Sequence, residues 1–207
     1  MSTIFVHGLG QNPLCWQPTI SYLPKQLAIT CSNVFDLRLD QNGTYEKLYE
    51  TFVAYCNKIS PPLNLCGISL GAILALNYAI DYPNKVNSLV LIAAQFKMPR
   101  FLMRCQNILF RIIPEKHFLK SSVNKEGLIQ LTKSMLALDF TNELQHIDCP
   151  VLVVCGARDR VNQKAAKVLA DRLIKANYQR IENAGHEVNR DAPKSLALSI
   201  EAFYRNL

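Results

Sequence analysis

The chain has no apolar run long enough to cross a bilayer. Its longest, such as Ser88–Ala94, fall far short of the roughly 20 residues a spanning helix needs, so no transmembrane segment is expected. The opening MSTIFVHGLG lacks the basic region, hydrophobic stretch and small-residue cleavage site of a secretory signal, and the expected location is the cytoplasm. Metal-type cysteine spacing is missing as well. Cys15, Cys31, Cys56, Cys66, Cys105, Cys149 and Cys155 form no C-x-x-C pair, are odd in number and sit mostly within apolar runs. They are expected to be buried, reduced thiols rather than a disulfide framework or a metal site. Charged residues are only 19% of the 207, against 49% apolar, a balance that excludes a disordered chain and supports one sizeable core.

The formal net charge is +7, and its location says more than its size. Residues 95–145 hold Lys97, Arg100, Arg104, Arg111, Lys116, Lys120, Lys125 and Lys133 against Glu115, Glu126, Asp139 and Glu143, so over half of the excess lies in one middle segment. These cations come with no recognised nucleic-acid motif or aromatic stacking platform, and nucleic acid is not an expected partner.

Short aliphatic runs at Thr3–Val6, Ala28–Phe35, Leu63–Cys66, Ser88–Ala93, Val151–Cys155 and Tyr178–Ile181 alternate with helical-period segments at Tyr45–Lys58, Ser69–Asp81, Gln163–Ala176 and Ala192–Tyr204. Pro83 and Pro193 stand at helix boundaries. The alternation predicts an α/β fold: about six parallel strands with crossover helices on both faces, in three layers. Unbroken runs such as LVLIAA and VLVVCG suit strands covered on both sides. Residues 95–145 break the rhythm, with apolar helical stretches and no clear strand, and are expected to form a short helical cap inserted in a single domain spanning 1–207.

Chemistry concentrates where strands give way to helices. Gly67-Ile68-Ser69-Leu70-Gly71 is a G-x-S-x-G run directly after a predicted strand and at the start of a predicted helix, the context in which a sharp turn lifts a serine hydroxyl above a sheet. A hydroxyl is a weak nucleophile near neutral pH and needs a base, itself oriented by a third group. Of the four histidines, His7 lies in a glycine turn, while His117 and His146 lie in or at the end of the cap segment; His186 follows the last strand. Asp159 follows the preceding strand, with Asp148, Glu187 and Asp191 as weaker candidates for the acid. In a doubly wound sheet, all these strand-to-helix loops open on one carboxyl edge. Phe5-Val6-His7-Gly8-Leu9-Gly10 turns there too, so the backbone N–H groups of Leu9 and Leu70 are candidate oxyanion donors.

Taken together, HGLG, GISLGA, CGARDRV and NAGHEVNRDAP, with Ser, Asp and His in that order, resemble the α/β-hydrolase superfamily over nearly the whole chain. Within it, the likeness is to small bacterial carboxylesterases and pimeloyl-carrier-protein methyl ester esterases. The resemblance implies a triad of Ser69, Asp159 and His186, an oxyanion hole at Leu9 and Leu70, and two-step acyl transfer on an ester or thioester with no metal or organic cofactor. The chain departs from the family in length. Its first strand already carries the HGLG turn, so the leading antiparallel hairpin is expected to be absent and the strand order to be 4-3-5-6-7-8 in the family's labelling.

In Phe101–Pro114, Arg100, Arg104 and Arg111 share one helical face if the stretch is continuous. That face is either solvated or a dock for an anionic acyl-carrier protein or a phospholipid surface. Trp16 and Cys105 are candidates to line the pocket, core packing being the plainer role. The same site would also serve a lyase, an acyltransferase or a peptidase, and a receptor without turnover would keep the pocket alone.

Overall fold

Strand runs with no polar interruption become the middle of a sheet. The computed structural model describes residues 1–33, 43–99 and 125–207. In it β1 (Ser2–Val6), β2 (Ala28–Ser32), β3 (Leu63–Ile68), β4 (Val86–Ile92), β5 (Val151–Gly156) and β6 (Ala176–Ile181) form one sheet in the order β2-β1-β3-β4-β5-β6. All neighbouring pairs are parallel. The order is the one implied by the resemblance, with β1 as the family's third strand. Every residue of β3 and β5 is buried, whereas β2 and β6, at the edges, are partly exposed.

The described α-helices are α1 (Gln17–Ile20), α2 (Tyr45–Cys56), α3 (Leu70–Asp81), α4 (Lys125–Ser134), α5 (Gln163–Arg172), α6 (Val188–Asp191) and α7 (Pro193–Arg205). Two boundaries differ most from the periodicity. The helix expected to run to Ala176 ends at Arg172, because Leu173 turns extended and buries itself, and Ala176 pairs with Val151 as the first residue of β6. The second strand stops at Ser32 rather than Phe35, which lies outside the described residues.

By contacts the chain divides into two compact units. One comprises Met1–Ser32, Ile59–Phe96 and Phe140–Leu207 and contains the sheet. On one of its faces Phe5, Cys66, Ile68, Val90, Ile92 and Val154 meet Trp16 and the buried stripe Leu196, Ala197, Ile200 and Phe203 of α7. Phe5 and Trp16 pack edge to face at 4.9 Å between centroids. Each such side chain, fully buried, contributes about 1.5–3 kcal/mol of transfer free energy. Helices α3 and α5 pack on the sheet as well, α3 against β3 and β4, α5 against β5 and β6.

The other unit comprises Asn33–Lys58 and Lys97–Asp139. Thr44 caps α2 by accepting from the Lys47 N–H, and Glu46 sits in the first turn, where the helix dipole favours a carboxylate. Helix α2 meets α4, with the Tyr45 N–H donating to Ser134 Oγ at 2.8 Å. Lys97 and Asp139 form an isolated antiparallel bridge closed by a 2.7 Å ion pair. Arg100, Cys105, His117 and the stripe with Arg104 and Arg111 lie outside the described residues. Among the described residues, no helix is long and apolar enough to cross a membrane.

Candidate active site

Because every strand runs the same way, the turns after β1, β3, β5 and β6 open on one edge. The order β2-β1-β3 also reverses direction at β1, so the turns after β1 and β3 flank a topological switch point, the usual crevice of an open α/β sheet.

Ser69 follows the last residue of β3 and stands just before α3 with φ 53° and ψ −119°. A side chain is disfavoured there, at a cost of about 1–3 kcal/mol that the surroundings must impose. They do so by crowding. A Cβ on Gly67 would come 2.3 Å from the Gly71 carbonyl oxygen, and one on Gly71 would come 2.3 Å from that of Val6. The elbow is anchored by the Ser69 N–H donating to the Ile92 carbonyl at 2.9 Å, while the Ser69 carbonyl accepts from Ala72 and Ile73 to begin α3. Leu70 is the first residue of that helix, where a backbone N–H has no partner four residues back.

On the far side of the switch point, β5 and β6 end in laced loops. The Ala157 N–H donates to the Ile181 carbonyl and the Arg158 N–H to the Ala184 carbonyl, both at 2.8 Å. Gly156 sits so close to this crossing that a Cβ would come 2.1 Å from the Gly185 oxygen. The lacing sets Asp159 against His186, with Nδ1 and Oδ2 2.8 Å apart. The carboxylate only accepts, so Nδ1 carries the proton and donates, leaving the Nε2 lone pair free to act as a base. Asp159 is buried, whereas the His186 side chain is 46% exposed.

Burial alone would raise the Asp159 carboxyl, but hydrogen bonds from His186 and Asn162 outweigh it and hold the group below its usual 3.8. The hydrogen bond to Asp159 raises His186 above its usual 6.5, against the opposing effect of burial. Of the four carboxylates weighed for this role, Asp159 is the one against the ring. Glu187 is bound to Arg190 and Gln11, and Asp191 accepts from the Gly185 N–H at 2.7 Å, steadying the loop that carries His186.

Asn162 is the residue that sequence reasoning missed. Its amide donates to both Asp159 oxygens, at 2.9 and 2.8 Å, and its oxygen accepts from Gln95 at 2.6 Å. Its 3.1 Å approach to His186 Nδ1 sets two donors face to face and is a packing contact. Asn162 stands at the N-cap of α5 yet makes no side-chain cap, since its amide is held by Asp159 and Gln95. An Asn three residues after an Asp at a predicted helix start was the available signal, and it reads equally well as an ordinary cap.

After β1, the Gln11 N–H closes the turn on the Gly8 carbonyl at 3.1 Å, and Gly10 takes φ 78°. A Cβ on Gly8 would lie 3.4 Å from that of Ser69, so the turn carrying Leu9 runs directly beside the serine. His7 is buried, with Nδ1 2.9 Å from the Gly8 carbonyl. His146 ends a short 3-10 turn at Leu144–His146. Trp16 is fully buried against Phe5 in the core. Among the described residues, no three of His, Cys, Asp and Glu are grouped to hold a metal ion.

A model of the alpha/beta hydrolase family matches residues 3–197. A monoacylglycerol lipase of Homo sapiens is 22% identical over 259 residues, covering 98% of this chain and 74% of its own. A pimeloyl-acyl-carrier-protein methyl ester esterase of Aromatoleum aromaticum is 32% identical over 108 residues, covering 50% of this chain and 40% of its own. Among solved structures, a thermophilic esterase from Thermogutta terrifontis superposes with a TM-score of 0.78 at 18% identity, over 100% of this chain and 90% of that one, which establishes the shared fold.

Proposed function

Because the chain belongs to the alpha/beta hydrolase family, we propose that it is a serine hydrolase that cleaves a carboxylic ester or thioester through an acyl-enzyme at Ser69. His186 Nε2 takes the hydroxyl proton as Ser69 Oγ attacks the acyl carbonyl, and the imidazolium formed is stabilised by the Asp159 carboxylate. The backbone N–H groups of Leu9 and Leu70 receive the developing oxyanion. His186 then protonates the leaving group; in the second half it activates a water that releases the acid from Ser69.

The observation that carries this reading is the backbone of Ser69, held at φ 53° between two glycines whose replacement would clash. Strain of that kind has no packing benefit to explain it, whereas presenting a nucleophile does. The bond between His186 and Asp159 supports the same reading. The names of the lipase and the methyl ester esterase favour esters as the substrate class.

The test is labelling with a fluorophosphonate probe, which reports an activated serine whatever the natural substrate. Native protein is expected to label, and folded Ser69→Ala and His186→Ala proteins are expected not to. A folded native protein that stays unlabelled, but is stabilised against heat by small ligands without turnover, would make it a receptor instead.

A further inference from the structure

The turn that carries Leu9 and the loop that carries His186 are joined by a buried amide, that of Gln11. Gln11 is 7% exposed, and its Oε1 accepts the Gly8 N–H at 3.2 Å. Its Nε2 donates to Glu187 Oε1 at 2.9 Å and to Asn189 Oδ1 at 3.3 Å. The Cys15 thiol donates to the same Oε1 at 3.4 Å. The partners fix which way the amide faces, since Gly8 offers a donor and Glu187 an acceptor. Asn189 is wholly buried and is tied in turn to the Cys15 carbonyl. Glu187 is the neighbour of His186 in the chain and is also held by Arg190 at 2.8 Å.

We propose that Gln11 is a positioning residue that locks the oxyanion turn to the histidine loop, so that the donor at Leu9 and the base at His186 hold one relative placement. The inference rests on the hydrolase reading above. It follows from the chemistry of the amide. Acceptor and donor sit on one rigid planar group, one end fixing the residue before Leu9 and the other the residue after His186. Loss of the amide leaves the buried Gly8 N–H and Asn189 Oδ1 short of a partner and unties the half-exposed Glu187 carboxylate, which keeps only Arg190, and both turns are then free to shift. Small shifts of that kind weaken acyl transfer steeply, because attack and oxyanion stabilisation both depend on placement. Cys15 is no rival nucleophile here, since burial pushes its thiol up to about 12 and keeps it protonated.

The experiment compares second-order fluorophosphonate labelling of native, Gln11→Leu and Gln11→Glu proteins, with Ser69→Ala as the blank, from about pH 5 to about pH 9. Gln11→Leu is expected to slow labelling about tenfold to hundredfold while far-UV circular dichroism stays native. Gln11→Glu gives the sharper reading and carries the test if Gln11→Leu does not fold. When protonated, the introduced carboxyl can accept from Gly8 and donate to Glu187; once ionised, it faces a second carboxylate and the link breaks. Its labelling is therefore expected near the native rate at the acid end and to fall behind by about tenfold or more as pH rises. A ratio to native that stays flat with pH overturns the inference, whatever Gln11→Leu does. Native labelling with unaffected Gln11 variants removes this inference alone, whereas a native protein that fails to label removes the hydrolase reading and the inference with it.

Discussion

Two titratable side chains define the pH behaviour of the site. His186 is raised above 6.5 by its bond to Asp159, and Asp159 is held below 3.8 by His186 and Asn162. A base must be neutral to take the serine proton, so kcat/KM for an ester is expected to rise with pH and level off above a midpoint higher than 6.5. Asp159→Asn should bring that midpoint down and cut kcat by about 10⁴-fold, through loss of the charge that stabilises the imidazolium and of the correct tautomer. An unchanged midpoint would place the controlling proton elsewhere. The same shifts affect stability with opposite signs. The raised histidine contributes fully below 6.5 and its contribution fades as pH rises through its folded value; the depressed carboxylate contributes above 3.8 and its contribution fades as pH falls. The Tm advantage of native protein over His186→Gln is therefore expected to shrink on the alkaline side, and a constant difference across pH would contradict the pairing.

At the scale of elements, the site depends on how closely the ends of strands approach their neighbours. Gly156, the last residue of β5, leaves no room for a methyl beneath Ala184 and Gly185. Gly156→Ala must push the β6 loop away, and His186 goes with it. Labelling is expected to slow about a hundredfold, with secondary structure retained, because a displacement near 1 Å in a catalytic pair is enough for that loss. Rates close to native would mean that the loop accommodates the methyl without moving the ring. Asn162 belongs to this scale too, as a helix-start residue diverted from capping α5 to holding Asp159 and Gln95.

On the scale of the molecule, the sheet that presents these turns is held by its buried face against α7. Leu196→Ala, in the core beside Phe5 and Trp16, is expected to cost about 2–5 kcal/mol. In a chain of this size that lowers Tm by roughly 4–20 °C. Calorimetry reads it directly, and a loss below about 1 kcal/mol would mean that the cavity had collapsed. The sequence alone determined the fold class, because β3, β4 and β5 are apolar runs that only a doubly covered parallel sheet can bury, and the G-x-S-x-G turn needs a strand before it and a helix after it; the strand order was implied by the resemblance to the family. It also placed Ser69, Asp159 and His186 on one edge, since strand-to-helix loops of a parallel sheet share it. Tertiary structure alone decided the rest. Pairing of Ala176 with Val151 ended α5 early, residues 33–58 joined 97–139 in one unit, and Asn162 and Gln11 took up their partners. Apart from the local bond of Asn162 to Asp159, those outcomes depend on contacts between positions distant in sequence, 67 residues apart for Asn162 and Gln95 and 178 for Gln11 and Asn189, and no local period or motif carries information about which distant polar group a buried amide will find.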